Sequence, residues 1–294
     1  MAFFIEVLIG GLMAGVMYSL VALGFVLIFK ASGVFNFAQG AMVLFAGLFF
    51  VGFLQKGVPI WLSIILTLVV MAILAFVIER LVLRHLVNQE GIILFMATIG
   101  VSYFIDGFGQ SIWGSSVTSF DVGIPTDPIF IMDGEILIQS FDLWAALVAG
   151  TLLAALVVFQ KTRIGRALRA VADDHQAAQS VGIPLNVIWI IVWTIAGMVA
   201  LVAGVMWGSK LGMQPAIVSL ALKALPVLIL GGFTSVPGAI IGGLIIGAGE
   251  KLAEVYIGPA FGGGIENWFA YVLALGFLLI RPQGLFGEKI IERV

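Results

Sequence analysis

The side chains able to do chemistry in this sequence are few, and most of them interrupt long apolar runs. Asn36, Gln39 and Gly40 lie in GVFNFAQGAM (33–42), and Thr234, Ser235, Pro237 and Gly238 lie in GGFTSVPGAI (231–240). Gly and Pro break the ladder of helical hydrogen bonds. Backbone groups freed in this way are tolerated at membrane depth only where protein or water satisfies them. The amide and hydroxyl side chains beside the breaks therefore either cap and glue helices together or line a polar path. These are candidate residues of a passage rather than of a covalent reaction. Two further polar groups occur, Thr98, Ser102 and Asp106, and Glu250, Lys251 and Glu254. Asp106 and Glu250 fall near the outer ends of their spans and read as solvated interfacial acids, the alternative being proton or ion sites. His85 and His175 are isolated in charged segments, which leaves no metal-ligand constellation. The dipeptide Gly-Lys never occurs, so the chain carries no P-loop of its own.

The elements that must position these residues are membrane helices. Of 294 residues, 62% are hydrophobic and 10% charged, and the mean hydropathy is +1.19. Soluble domains carry roughly 25% charged residues. Apolar runs recur along the whole chain, several of them beyond the roughly 18 residues that cross a bilayer. The fold class expected is an all-α polytopic membrane protein, a single transmembrane domain over 1–294, with eight to nine membrane helices and some of these broken or half-length. The spans expected are 5–29, 36–54, 58–79, 92–113, 140–160, 185–208, a short 220–231, 237–255 and 265–281. The amino-terminal stretch MAFFIEVLIGGLMAGVMYSL has no basic leader and reads as a retained first helix. A net charge of −2 argues against nucleic-acid binding, and the absence of Cys excludes disulfides and thiolate metal sites. Trp61, Trp113, Trp144 and Trp268 sit near span ends, as interface anchors do.

Charge sets the orientation. Lys161, Arg163, Arg166 and Arg169 crowd one side of the 140–160 span, whereas loop 114–139 holds Asp121, Asp127, Asp133 and Glu135 and no basic residue. Basic loops lie in the cytoplasm. The N-terminus is then outside and the C-terminus inside, with ten basic residues on the inner side against four, Lys56, Lys210, Lys223 and Lys251, on the outer. This count needs 220–231 to cross the membrane; the alternative is a half-helix lining a cavity.

Phe35, Gln39, Gly40 and Ala41 recur as Phe233, Pro237, Gly238 and Ala239 at a constant offset of 198. Each motif is followed by a Gly-containing apolar helix running from inside to outside. That is the pattern of a parallel internal repeat, as found in transporters whose substrate path lies at the repeat interface. Chance similarity over four positions is the competing account.

The most informative polar segment is KTRIGRALRAVADDHQAAQSVGIP (161–184). Ile164, Leu168 and Val171 follow helical spacing, with the arginines on other faces. A second short helical pattern carries Ala177, Ala178 and Val181 and stops at Gly182 and Pro184. Such a loop can dock on a cytoplasmic partner or lie on lipid headgroups.

This loop, TRIGRALRAVADD followed by AA, S and VGI, resembles the cytoplasmic loop of the permease subunits of branched-chain amino-acid ABC importers. GLMAGVMYSLVALGFVLIFKASGVFNFAQGAM, ALKALPVLILGGFTSVPGAIIGGLIIGAGE and RPQGLFGE extend the resemblance over nearly the whole chain. The resemblance implies a permease subunit that moves branched-chain amino acids inward by alternating access, with no chemistry of its own and no cofactor bound by this chain. ATP and Mg would belong to two cytoplasmic ATPase subunits. The other implied partners are a second homologous permease subunit, a periplasmic or lipid-anchored substrate-binding protein and membrane lipid, in the bacterial inner membrane. Gly165, Arg166, Arg169, Ala170, Asp173, Ala177, Ala178 and Gly182 would form the ATPase-coupling loop, and the two broken segments would line the path. Same-family carriers of urea or short amides, and an autonomous channel or ion-coupled carrier, are the alternatives.

Overall fold

The computed structural model describes residues 2–33, 35–86, 89–131, 136–173 and 175–287. Its helices are α1 Ala2–Ser32, α2 Gln39–Gln55, α3 Ile60–Leu81, α4 Gly91–Trp113, α5 Ser140–Lys161, α6 Arg163–Asp173, α7 His175–Ser180, α8 Leu185–Leu211, α9 Ala216–Leu222, α10 Ala224–Gly231, α11 Val236–Tyr256 and α12 Glu266–Ile280. The protein is thus an all-α polytopic membrane protein. Among the described residues, six helical segments are long and apolar enough to cross a bilayer, and three shorter apolar ones, Gln39–Gln55, Ala216–Gly231 and Glu266–Ile280, fall where the remaining spans were expected.

The structure differs from the sequence reading in two places. The segment expected as one helix over 220–231 is two short helices, α9 and α10, parted at Lys223. Loop 114–139 contains a small antiparallel hairpin, β1 Pro128–Ile131 and β2 Ile136–Gln139, with Ile129 opposite Ile138. These four-residue strands are too short for alternation to announce them. Asp133, Glu135, Lys289 and Arg293 lie outside the described residues.

The chain forms two compact units. One comprises Met1–Ala22, Gly123–Thr151 and Lys223–Val294, and the other Leu23–Val122 and Leu152–Leu222. The second unit is built around α2, which is buried on every face from Gln39 to Leu48 and packs on α3, α4, α8 and α9. Lipid tails are as apolar as leucine, so in a bilayer close packing, rather than the hydrophobic effect, holds helices together. The close approach is visible where a Cβ on Gly204 would lie 2.5 Å from Val43 O. The outer helices α3 and α4 expose apolar side chains such as Ile65, Ile73, Met96 and Phe104, as a lipid-facing surface requires.

In the first unit the same device joins α11 to the first part of α1. A Cβ on Gly15 would lie 2.3 Å from Gly243 O, and one on Gly247 2.4 Å from Gly11 O. Ser19, at the next turn, donates to Gly15 O at 2.9 Å. These glycines therefore pack backbone against backbone.

Candidate functional site

The first interrupted segment starts a helix. α2 begins at Gln39 rather than 36, and the three residues before it are held by side chains. Asn36 Oδ1 accepts from Ala38 N–H at 3.1 Å, while its Nδ2 points at Met42 Sδ, 3.7 Å away. Thr98 of α4 closes the outer side of the break: its Oγ1 accepts from Phe37 N–H at 3.1 Å and donates to Phe95 O at 2.8 Å. Phe25 and Phe35 stack beside it, with centroids 4.9 Å apart. Backbone donors that the helix cannot satisfy at its own start thus receive side-chain partners.

Gln39 is placed differently. It is fully buried, and its Nε2 donates to Ala196 O of α8 at 3.5 Å, the outer limit of a hydrogen bond. Its Oε1 is buried with no partner. The amide occupies the slot left by Gly24, where a Cβ would come within 2.0 Å of Nε2. Gly40 faces α9, with Val218 O 2.8 Å from a would-be Cβ. Asn36, Gln39 and Gly40 are therefore gathered at one helix start in the second unit.

The second interrupted segment, in the first unit, also starts a helix. Ser235 caps α11, its Oγ accepting from Gly238 N–H at 3.0 Å, and Pro237 occupies the first turn, where its missing N–H costs nothing. The chain reverses before it at Gly232, with φ +100°, a conformation only glycine adopts without strain. Gly231 and Gly238 then meet so closely that a Cβ on either would lie 2.1–2.2 Å from the other's carbonyl oxygen. Thr234 and Ser235 are half-buried and Pro237 is exposed. Relative to the 198-residue offset, this helix begins one residue earlier than α2, and its capping side chain stands one residue later than Asn36.

The loop between α5 and α8 folds as two helices, α6 and α7, as its periodicity predicts. Leu168 and Val171 are buried; Ile164, expected with them, is 45% exposed. Arg163, Arg166 and Arg169 form an exposed basic stripe. Gly165 is buried at the α5–α6 corner, with Phe159 O 2.3 Å from a would-be Cβ. Ala170 is half-buried, Ala177 exposed, Ala178 buried, and Gly182 ends the loop at φ +87°. Asp173 closes α6, and its side chain lies outside the described residues.

Two charged sites escape the sequence reading. Glu250, expected as a solvated interfacial acid, is 2% exposed. Lys223 Nζ lies 2.9 Å from its Oε1, and Tyr18 Oη donates to the same oxygen at 3.1 Å. A lone lysine inside the apolar run SLALKALPVLIL was the available signal, since an ion at that depth needs a partner. Glu79 is the second: it stands near the end of α3 and is 4% exposed. In the sequence it borders Arg80 and looks like an ordinary flanking charge. Among the described residues no three His, Cys, Asp or Glu side chains gather to hold a metal.

The sequence profile described as the permease component of the branched-chain amino acid transport system matches residues 7–281. The high-affinity branched-chain amino acid transport permease LivH of Salmonella typhimurium is 27% identical, over 99% of this chain and 98% of its own length. BraD of Pseudomonas aeruginosa, a permease protein of the same description, is 28% identical over the same shares. Among solved structures, a chain of PsaBC from Streptococcus pneumoniae in complex with Fab superposes with a TM-score of 0.51, covering 95% of this chain and 91% of that one at 14% identity. That last likeness is one of fold alone.

Proposed function

The chain belongs to the family of permease components of branched-chain amino acid transport systems, and on that premise we propose that it is one membrane subunit of an ATP-driven importer carrying branched-chain amino acids into the cytoplasm. The observation that carries this reading is the family match, which runs from the first membrane helix to the last. The subunit transports and performs no covalent chemistry. It pairs with a second homologous permease, two cytoplasmic ATPases and a periplasmic or lipid-anchored binding protein, in the bacterial inner membrane, with its N-terminus outside and its C-terminus inside.

Loop 161–184 is the coupling element in this reading. Its basic stripe and small residues offer a face to an ATPase, and its buried face, Leu168 and Val171, fixes it to the permease. ATP binding moves the loop as a rigid piece, and the helices rotate with it between outward- and inward-open states. The broken segments at 33–40 and 231–240 border the path, because interrupted backbone at membrane depth needs protein or water around it.

The test is reconstitution of the chain into vesicles with its neighbouring permease, ATPases and binding protein. Leucine uptake that requires ATP is expected. The buried Lys223–Glu250 pair is the feature an ion-coupled carrier would need. Uptake by this chain alone under a proton gradient, indifferent to ATP, would overturn the importer in favour of that carrier. Transport of urea in place of leucine would move the substrate assignment while keeping the mechanism.

A further inference from the structure

In the second unit, a cleft of about 410 Å³ opens between the end of α3 and the point where loop 161–184 meets α8. Volumes of roughly 300–1,000 Å³ are usual for small-molecule sites. Glu79 and Arg84 line one side and Gln179 and Ile183 the other, with Leu185 and Trp189 forming an apolar wall. Glu79 is 4% exposed and has no hydrogen-bond or ion-pair partner among the described residues. With no partner among these residues, the carboxylate faces the cleft. Arg84 lines the same cleft yet forms no ion pair with it. An acid and a guanidinium held apart beside an apolar wall are complementary to a molecule that carries an ammonium, a carboxylate and an aliphatic group.

We propose that this cleft binds a free aliphatic α-amino acid, its ammonium on Glu79, its carboxylate on Arg84 and its side chain against Leu185 and Trp189. The proposal rests on the reading above in one respect, that loop 161–184 faces the cytoplasm. The ligand then arrives from the inner side, as the imported product. It bridges α3 to Gln179 and Ile183 at the end of the coupling loop, so occupancy holds the loop in place and slows turnover as product accumulates.

The direct test is binding of radiolabelled leucine to the purified chain in phosphatidylcholine nanodiscs, which needs neither ATPases nor transport. Saturable binding is expected, weakened about tenfold or more in both Glu79→Gln and Arg84→Gln, since the first removes the charge opposite the ammonium and the second the guanidinium opposite the carboxylate. Competition by leucine amide, which lacks the carboxylate, and by isocaproate, which lacks the ammonium, is expected to be weaker than by leucine. Gln is isosteric with Glu and removes an unpaired charge, and Arg84 is exposed, so both variants are expected to fold; their size-exclusion profiles check this. Binding unchanged in both variants overturns the proposal. So does retention of phosphatidylethanolamine, in a Glu79-dependent manner and without any leucine binding, which would make the cleft a lipid-headgroup site. If ATP-driven uptake fails while Glu79-dependent binding persists, the importer reading falls and the cleft stands. If uptake succeeds and binding ignores both variants, only the cleft falls.

Discussion

Breaking the ion pair at Glu250 provides the strongest test of how charge is carried inside this protein. Lys223 Nζ lies 2.9 Å from Glu250 Oε1, and the acid is 2% exposed while the lysine retains 17%. Lys223→Met leaves a buried carboxylate with Tyr18 as its remaining donor. Removing one member of a buried pair costs about 3–5 kcal/mol, because the survivor is left uncompensated. Lys223→Met belongs in that range, roughly a 150-fold loss in folding equilibrium at its lower end. Glu250→Gln is expected to cost less, near the lower limit, since the exposed fraction of Lys223 can reach water. Tyr18→Phe loses one hydrogen bond to a charged acceptor, about 1.5 kcal/mol. The double variant Glu250→Gln with Lys223→Met removes both charges and leaves a neutral amide that Tyr18 can still reach. It is expected to recover at least 2 kcal/mol relative to the sum of the single losses, by the logic of a double-mutant cycle. Tryptophan fluorescence during SDS-driven unfolding in mixed micelles measures each variant. Strict additivity, or single losses below about 0.5 kcal/mol, would refute the claim that the pair is energetically coupled at depth.

Two further outcomes follow from local geometry. Gly165→Ala places a methyl group 2.3 Å from Phe159 O, which must shift the α5–α6 corner; the number of leucines imported per ATP hydrolysed in the reconstituted importer is expected to drop several-fold with the chain still inserted, and an unchanged ratio counts against loop 161–184 as the coupling element. Gln39→Met is expected to leave stability within about 1 kcal/mol in the same SDS titration, because one 3.5 Å hydrogen bond is exchanged for relief of an unpartnered buried oxygen; a loss above about 2 kcal/mol would show the amide to be structural glue.

The membrane helices were legible because an apolar run of membrane length has few other uses, and the two helix starts were legible because Asn36, Gln39 and Pro237 interrupt such runs. The amphipathic loop was legible at Leu168 and Val171, which sit on its buried side. What escaped was pairing across distance. Lys223 and Glu250 are 27 residues apart, and Tyr18 and Glu250 are 232 apart. Neither separation leaves a periodic trace, so in the sequence Lys223 reads as an outer-side charge and Glu250 as a solvated one. Lys223 stands at the joint between α9 and α10 and reaches the acid from there.

Residue type alone also ranks the polar groups wrongly. Asn36 and Ser235 draw the eye because they stand inside apolar runs, yet both accept a backbone N–H at a helix start. Glu79 draws none, beside Arg80 at the end of a helix, yet among the described residues it has no hydrogen-bond or ion-pair partner and it lines a cleft. A polar group inside a membrane protein costs free energy until something satisfies it. Where the chain itself does so, as at Asn36, the residue is accounted for by folding. Where the described chain supplies no partner and a cleft opens beside the group, as at Glu79, the partner has to come from the cleft, from water or from a ligand of opposite charge.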